Sequence, residues 1–126
     1  MSKAIICDTC ILIDFVNGRS SQITELHADN IQVFINPVIE LELLQGARNK
    51  IEMRQIEKTL AMFRLLDMPA EVFDLARQLI KIYALSHSLR LADALIAATA
   101  LVYDLGLLTY NLKDFRFIPE LRLYSE

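Results

Sequence analysis

The stretch Lys3 to Ile13, KAIICDTCILI, limits the fold more than any other part of the chain. Ala4, Ile5, Ile6 and Cys7 suit a buried strand, and they run into an acid, Asp8, with an apolar helical pattern directly behind it. Asp8 therefore stands at the carboxyl end of a strand, at the rim where open α/β sheets collect their ligands. Either Asp8 or Thr9 can also cap the helix that follows, so this stretch alone leaves a structural and a functional reading open.

The pattern repeats along the chain. A short helix is expected from Thr9 to Val16, stopped by Asn17-Gly18, then a second from Ser20 to Ala28 and a strand from Ile31 to Ile35. Asn36-Pro37 pairs a capping side chain with proline at the first helical position and starts a helix to about Arg48. That helix is apolar nearly all round, which demands cover on more than one side. Further helices are expected over Lys50 to Leu66, with Met53, Ile56, Leu60 and Phe63 on one stripe, and over Pro69 to Leu85, facing inward through Phe73, Ala76, Ile80 and Tyr83. A helix from Leu89 to Tyr103, a short strand over Leu107 to Thr109 and an edge strand from Leu121 to Tyr124 complete the chain. Strands alternating with helices indicate an α/β fold, a parallel sheet of four to five short strands flanked by helices.

At 126 residues the chain reads as a single domain, 1–126, able to bury roughly two-thirds of the surface it exposes when unfolded. Its 54% hydrophobic content and only three Gly and three Pro favour long elements and, with the all-round apolar helix, self-association. No apolar run reaches the length of a membrane span, and Asp8 interrupts the only N-terminal signal-like segment, so a cytoplasmic protein without membrane attachment is expected. Cys7 and Cys10 have the spacing of a thiol-disulfide site but read as two small core residues. With two Cys and two distant His, zinc has little to bind.

Four acids stand apart from the rest. Asp8 ends the first strand, and Asp114, with Thr109 and Asn111, lies just past the late strand. Glu42 is set into the apolar helix after Pro37, one turn before Gly46, which leaves open space beside it. Asp93 shares a helix face with Leu89, Ile96, Ala97 and Ala100, where a carboxylate is costly unless it is paired or bound to a cation; Arg90 offers a structural partner. In a parallel sheet these groups can converge beyond the strand ends, and carboxylates gathered without basic partners repel unless a cation joins them. Oxygen donors with no nearby His or Cys favour a hard ion, Mg²⁺ or Mn²⁺, and phosphodiester hydrolysis. The net charge of −3 does not exclude a nucleic acid: without those four acids, 16 − 4 leaves 12 acidic side chains against 13 basic ones. Lys50, Arg54 and Lys58, spaced by four residues on one helix face, together with Arg48, are candidates for following an RNA backbone, although such a ridge is also an ordinary solvated surface.

Four segments in order resemble the motifs of PIN domains: Asp8-Thr9 after the first strand, Glu42-Leu43-Leu44-Gln45-Gly46, Asp93-Ala94-Leu95-Ile96-Ala97-Ala98, and Thr109-Tyr110-Asn111-Leu112-Lys113-Asp114-Phe115. Length and the second and third segments are similar to the VapC-type toxins of toxin-antitoxin pairs. The resemblance implies a three-layer PIN-like domain and a metal-dependent endoribonuclease, usually dimeric, that a cognate antitoxin inhibits. It further implies that Asp8, Glu42 and Asp93 form the catalytic, metal-binding triad, with Asp114 a further acid near the metal and Thr9 a polar neighbour. Some PIN domains carry an acid where this chain has Asn111, and an amide contributes no negative charge there. That departure favours the rival reading, a PIN-like scaffold that binds RNA or a protein without cleaving. An aspartyl-phosphate phosphatase would need a second Asp where Cys10 stands, and a phospho-accepting receiver module would need an acid pair at the first strand.

Overall fold

The computed structural model describes residues 3–124. Its sheet has four strands: β1 (Ala4–Cys7), β2 (Gln32–Ile35), β3 (Arg64–Leu65) and β4 (Gly106–Leu108), in the order β3-β2-β1-β4. All neighbours are parallel, with Ile5 opposite both Val33 and Gly106. The connections contain α1 (Thr9–Val16), α2 (Gln22–Ala28), α3 (Pro37–Gln45), α4 (Lys50–Leu60), α5 (Ala70–His87) and α6 (Leu91–Val102). This is the expected three-layer α/β architecture. No helix among the described residues is long and apolar enough to cross a membrane.

The strand order explains where a site can form. From β1 to β2 to β3 the chain steps one way across the sheet, then returns past both to set β4 on the other side of β1. With the usual right-handed crossovers, the helices of the two directions fall on opposite faces. β1 and β4 flank the point where the connections part, so the crevice beyond their carboxyl ends is the place for a ligand. Both strands are apolar enough to be covered on both faces: Ile5, Ile6, Cys7, Leu107 and Leu108 are buried.

Helix α6 is the core helix. Every residue from Ala94 to Ala100 is buried, and the alanines permit close approach by α5 and α3. Thr99 is the polar exception. Its hydroxyl donates to Leu95 O at 2.7 Å and accepts from Asn36 Nδ2 at 3.0 Å, while Asn36 Oδ1 caps α3 by accepting from Ile39 N at 3.0 Å. One fully buried amide thereby starts α3 and ties it to α6.

Three expectations need correction. The helix expected over Lys50 to Leu66 ends at Leu60; the chain turns at Ala61 and Met62, and Arg64–Leu65 pairs with β2, Leu66 N donating to Ile35 O at 2.8 Å. A two-residue strand carries no alternation to read, and Phe63, although buried, is reached only after the helix has ended. In α5 the buried face is Val72, Ala76 and Leu79, with Ile80 and Tyr83 half-buried, because the helix turns that side to α6; Phe73 is exposed. The expected edge strand reduces to one parallel bridge, Leu107 to Leu123, after Glu120 turns the chain at φ +68°. Helix α3 is covered through Ile39 and Leu43, but Leu41 remains exposed in the single chain.

Replacing Asn36 with Ala removes the α3 cap and leaves the Thr99 hydroxyl without its donor. Urea denaturation should register a loss of about 2 kcal/mol. A change within about 0.5 kcal/mol would mean that the Asn36 link contributes no more than a surface contact.

Candidate active site

Asp8 is the N-cap of α1, its Oδ1 accepting from Thr9 N at 2.8 Å. The cap reading therefore holds for this residue, and one of its oxygens is left for other contacts. Its other oxygen, Oδ2, accepts from the Thr109 hydroxyl at 2.7 Å and from Cys10 Sγ at 3.6 Å. Thr109 Oγ1 in turn accepts from Asn111 N at 2.9 Å, and Asp8 N donates to Leu108 O at 2.8 Å. The carboxylate is only 5% exposed, held by three donors and no cation. Hydrogen bonds of this number satisfy a buried carboxylate while fixing its direction.

Glu42 faces the same region from α3. The Thr9 hydroxyl donates to its Oε1 at 2.6 Å, so adjacent residues at the end of β1 orient two acids. Glu42 also lines a cleft of about 360 Å³ between α1, α3 and α4, bordered by Gly46, Arg48 and Glu52. A side chain on Gly46 would fit without a severe clash, so its value here is the open surface it leaves beside Glu42.

Asp93 lies in the first turn of α6, half-buried. Its carboxyl is pushed up to about 6, first by burial and then by the negative charges of Asp8, Asp114 and Glu42; Arg90 opposes them weakly. Asp8, Glu42 and Asp114, from three separate segments, thus lie within electrostatic reach of Asp93. Asp114, at the end of a short 3₁₀ turn (Leu112–Asp114), is exposed, as is Asn111 before it. The donor set is all carboxylate and hydroxyl, which fits a hard divalent cation by charge and by atom type. Among the described residues, no three His, Cys, Asp or Glu side chains are gathered closely enough to hold an ion as they stand.

Cys10 is the residue that the sequence reading misplaced. It is half-buried at the site, with Sγ beside Asp8 and 3.8 Å from the Thr109 hydroxyl, whereas Cys7 is a core residue. Burial raises the Cys10 thiol, with the Asp8 charge acting the same way, so it stays protonated and donates to the carboxylate. Its position in the first turn of a helix capped by Asp8 is the local signal. Of the basic residues expected to guide RNA, Arg48 borders the Glu42 cleft but is bound to Glu52 at 2.9 Å, while Lys50, Arg54 and Lys58 stand exposed on α4. A larger cleft, about 720 Å³, opens between His27, Gln32 and Arg64 at the start of β2 and contains none of the four acids.

Comparison with known proteins agrees with this geometry. The PIN domain matches residues 5–120. A protein of Rickettsia bellii named Ribonuclease VapC is 35% identical over 129 aligned positions, covering 96% of this chain and 95% of that protein. Among solved structures, a chain of a toxin-antitoxin complex from Klebsiella pneumoniae superposes with a TM-score of 0.77 at 29% identity, covering 97% of this chain and 99% of that one. A chain of DNA-bound VapBC from Salmonella typhimurium shares the fold, with a TM-score of 0.82 at 22% identity and 98% of both chains covered. The chain belongs to the PIN-domain family and is a relative of the VapC ribonucleases.

Proposed function

We propose that this protein is a metal-dependent endoribonuclease, the toxin of a toxin-antitoxin pair, acting in the cytoplasm as one domain and restrained by a cognate antitoxin. The observation that carries this reading is the pair of acids oriented at the end of β1, Asp8 fixed by Thr9, Cys10 and Thr109 and Glu42 held by the Thr9 hydroxyl, beside an Asp93 carboxyl raised by burial and by the charges of Asp8, Asp114 and Glu42. A protein gains nothing in stability from assembling such a group; a cation and a phosphodiester give it a use. Asp8, Glu42 and Asp93 are the residues assigned to hold the ion, with Asp114 at its edge. Mg²⁺ or Mn²⁺ supplies, when bound, Lewis acidity toward a water and the RNA phosphodiester. Asp8 contributes a carboxylate that cannot turn away, because Thr109, Thr9 and Cys10 fix both of its oxygens. Thr9 does the same for Glu42. Hydrolysis by water leaves a 5′-phosphate and a 3′-hydroxyl and makes no use of the RNA 2′-hydroxyl. Exposed Leu41, Ile82, Leu85 and Leu91 support a homodimer.

Asp8→Asn, Glu42→Gln and Asp93→Asn should each abolish Mn²⁺-dependent cleavage of single-stranded RNA while the fold persists; full activity in Asp93→Asn would remove it from the site. Asp93→Asn should also be the more stable protein above pH 6 in EDTA, by an amount that solvent screening of this half-buried group reduces. The sign follows from a folded-state carboxyl raised from 3.8 to about 6: its stabilising protonation is complete below 3.8 and lost as pH rises through 6. The advantage of the Asn variant should therefore shrink between pH 6 and 3.8, and denaturation midpoints that differ by the same amount across that window would contradict the shift. Exposed Lys50, Arg54 and Lys58 are assigned to the backbone of a longer RNA; replacing all three should weaken binding and reduce its salt dependence, and an unchanged salt slope would return them to ordinary surface.

A further inference from the structure

A further cleft includes one of the four acids, Asp114, and no residue of α4. It has a volume of about 440 Å³ and lies between the end of α5, residues 86–88, and the segment 113–117, with Asp114 in its wall. Asp114, one of the four acids of the candidate site, is thus also part of this cleft. Two features distinguish it. His87 is exposed, and its ring stacks on Phe117 with centroids 4.3 Å apart and planes at 22°. Tyr83 meets both rings, the imidazole edge-on at 5.6 Å and Phe117 at 5.0 Å, so half-buried aromatics fix an exposed one. Ser86 Oγ lies 2.8 Å from His87 Nδ1 and fixes the ring further. The second feature is charge: Lys113 and Arg116 are exposed in the same wall, and neither forms an ion pair among the described residues.

We propose that this cleft is a nucleotide subsite for single-stranded RNA flanking the bond to be cut, the base stacking on the His87–Phe117 platform and the phosphate meeting Lys113 and Arg116. The inference rests on the ribonuclease reading of the neighbouring acids. A fixed aromatic surface beside unpaired cations is the combination by which proteins hold unpaired bases and their backbone. A ring held in place loses little freedom when a base arrives, and Lys113 and Arg116 give up no existing partner. The cleft offers the RNA a hold beside Asp114 that is separate from the basic ridge on α4.

The test is binding of a fluorescein-labelled single-stranded oligoribonucleotide to the full-length protein in EDTA, with Mn²⁺-dependent cleavage measured separately. His87→Ala should raise the Kd by about five- to a hundredfold, the worth of one stacked base, and His87→Phe should restore most of the affinity. Lys113→Ala with Arg116→Ala should make the log Kd against log salt slope shallower by about 0.7 for each contact, roughly 1.4 together. Those two cations are exposed and unpaired, so this variant keeps the test valid if His87→Ala unfolds. Wild-type affinity and salt slope in the variants would overturn the subsite even if cleavage is found, as would variants that keep RNA affinity and lose only a protein partner. Weakened RNA binding in the variants without wild-type cleavage would uphold the subsite and remove the ribonuclease reading. A wild type that neither binds nor cleaves RNA would overturn both.

Discussion

The hydrogen bond from the Thr109 hydroxyl to Asp8, 2.7 Å long, joins the ends of β1 and β4 at the point where the sheet's connections part. A buried carboxylate without a cation needs donors, and here they come from both strands' extensions and from the first turn of α1. That requirement fixes several things together. It starts α1, it holds the segment after β4 against β1, and through Asn111 N it shapes the turn that carries Asp114. Thr9, set beside Asp8 by the same cap, reaches across to Glu42. The polar network is therefore structural in its construction and leaves its negative charge unneutralised.

The opposing tendency is in α6. A helix buried on every side from Ala94 to Ala100 contributes a large share of the core, yet its first turn carries an acid whose proton affinity is raised by burial and then by neighbouring charges. Stability would be served by an amide at position 93. Keeping a carboxylate there costs folding free energy at neutral pH, a cost that the proposed cation site would explain as the usual compromise between function and scaffold.

Much of this was legible in the sequence for identifiable reasons. Asp8 follows four strand-forming residues and precedes a helical pattern, Asn36-Pro37 is an unambiguous helix start, and Asp93 shares a helix face with Ile96, Ala97 and Ala100, with only Arg90 as a structural partner nearby. Strand β3 was not legible, because two exposed residues, Arg64 and Leu65, are recruited by the free edge of β2 and by no pattern of their own. The rotation of α5 was set by its contact with α6, which spacing alone does not specify. Cys10 was read as core because its neighbours are apolar, whereas the direction of its side chain depends on Thr109, 99 residues away. The aromatic cluster of Tyr83, His87 and Phe117 joins the end of one helix to a distant loop and has no local signature.

The central claim is that the charge left at the ends of β1 and β4 exists to hold a divalent cation. Calorimetric titration of Mn²⁺ into the wild type, Asp8→Asn and Asp93→Asn tests it most directly. The account predicts saturable binding by the wild type that disappears in both variants. A wild type that takes up no Mn²⁺, or an Asp93→Asn variant that binds it as the wild type does, would contradict it.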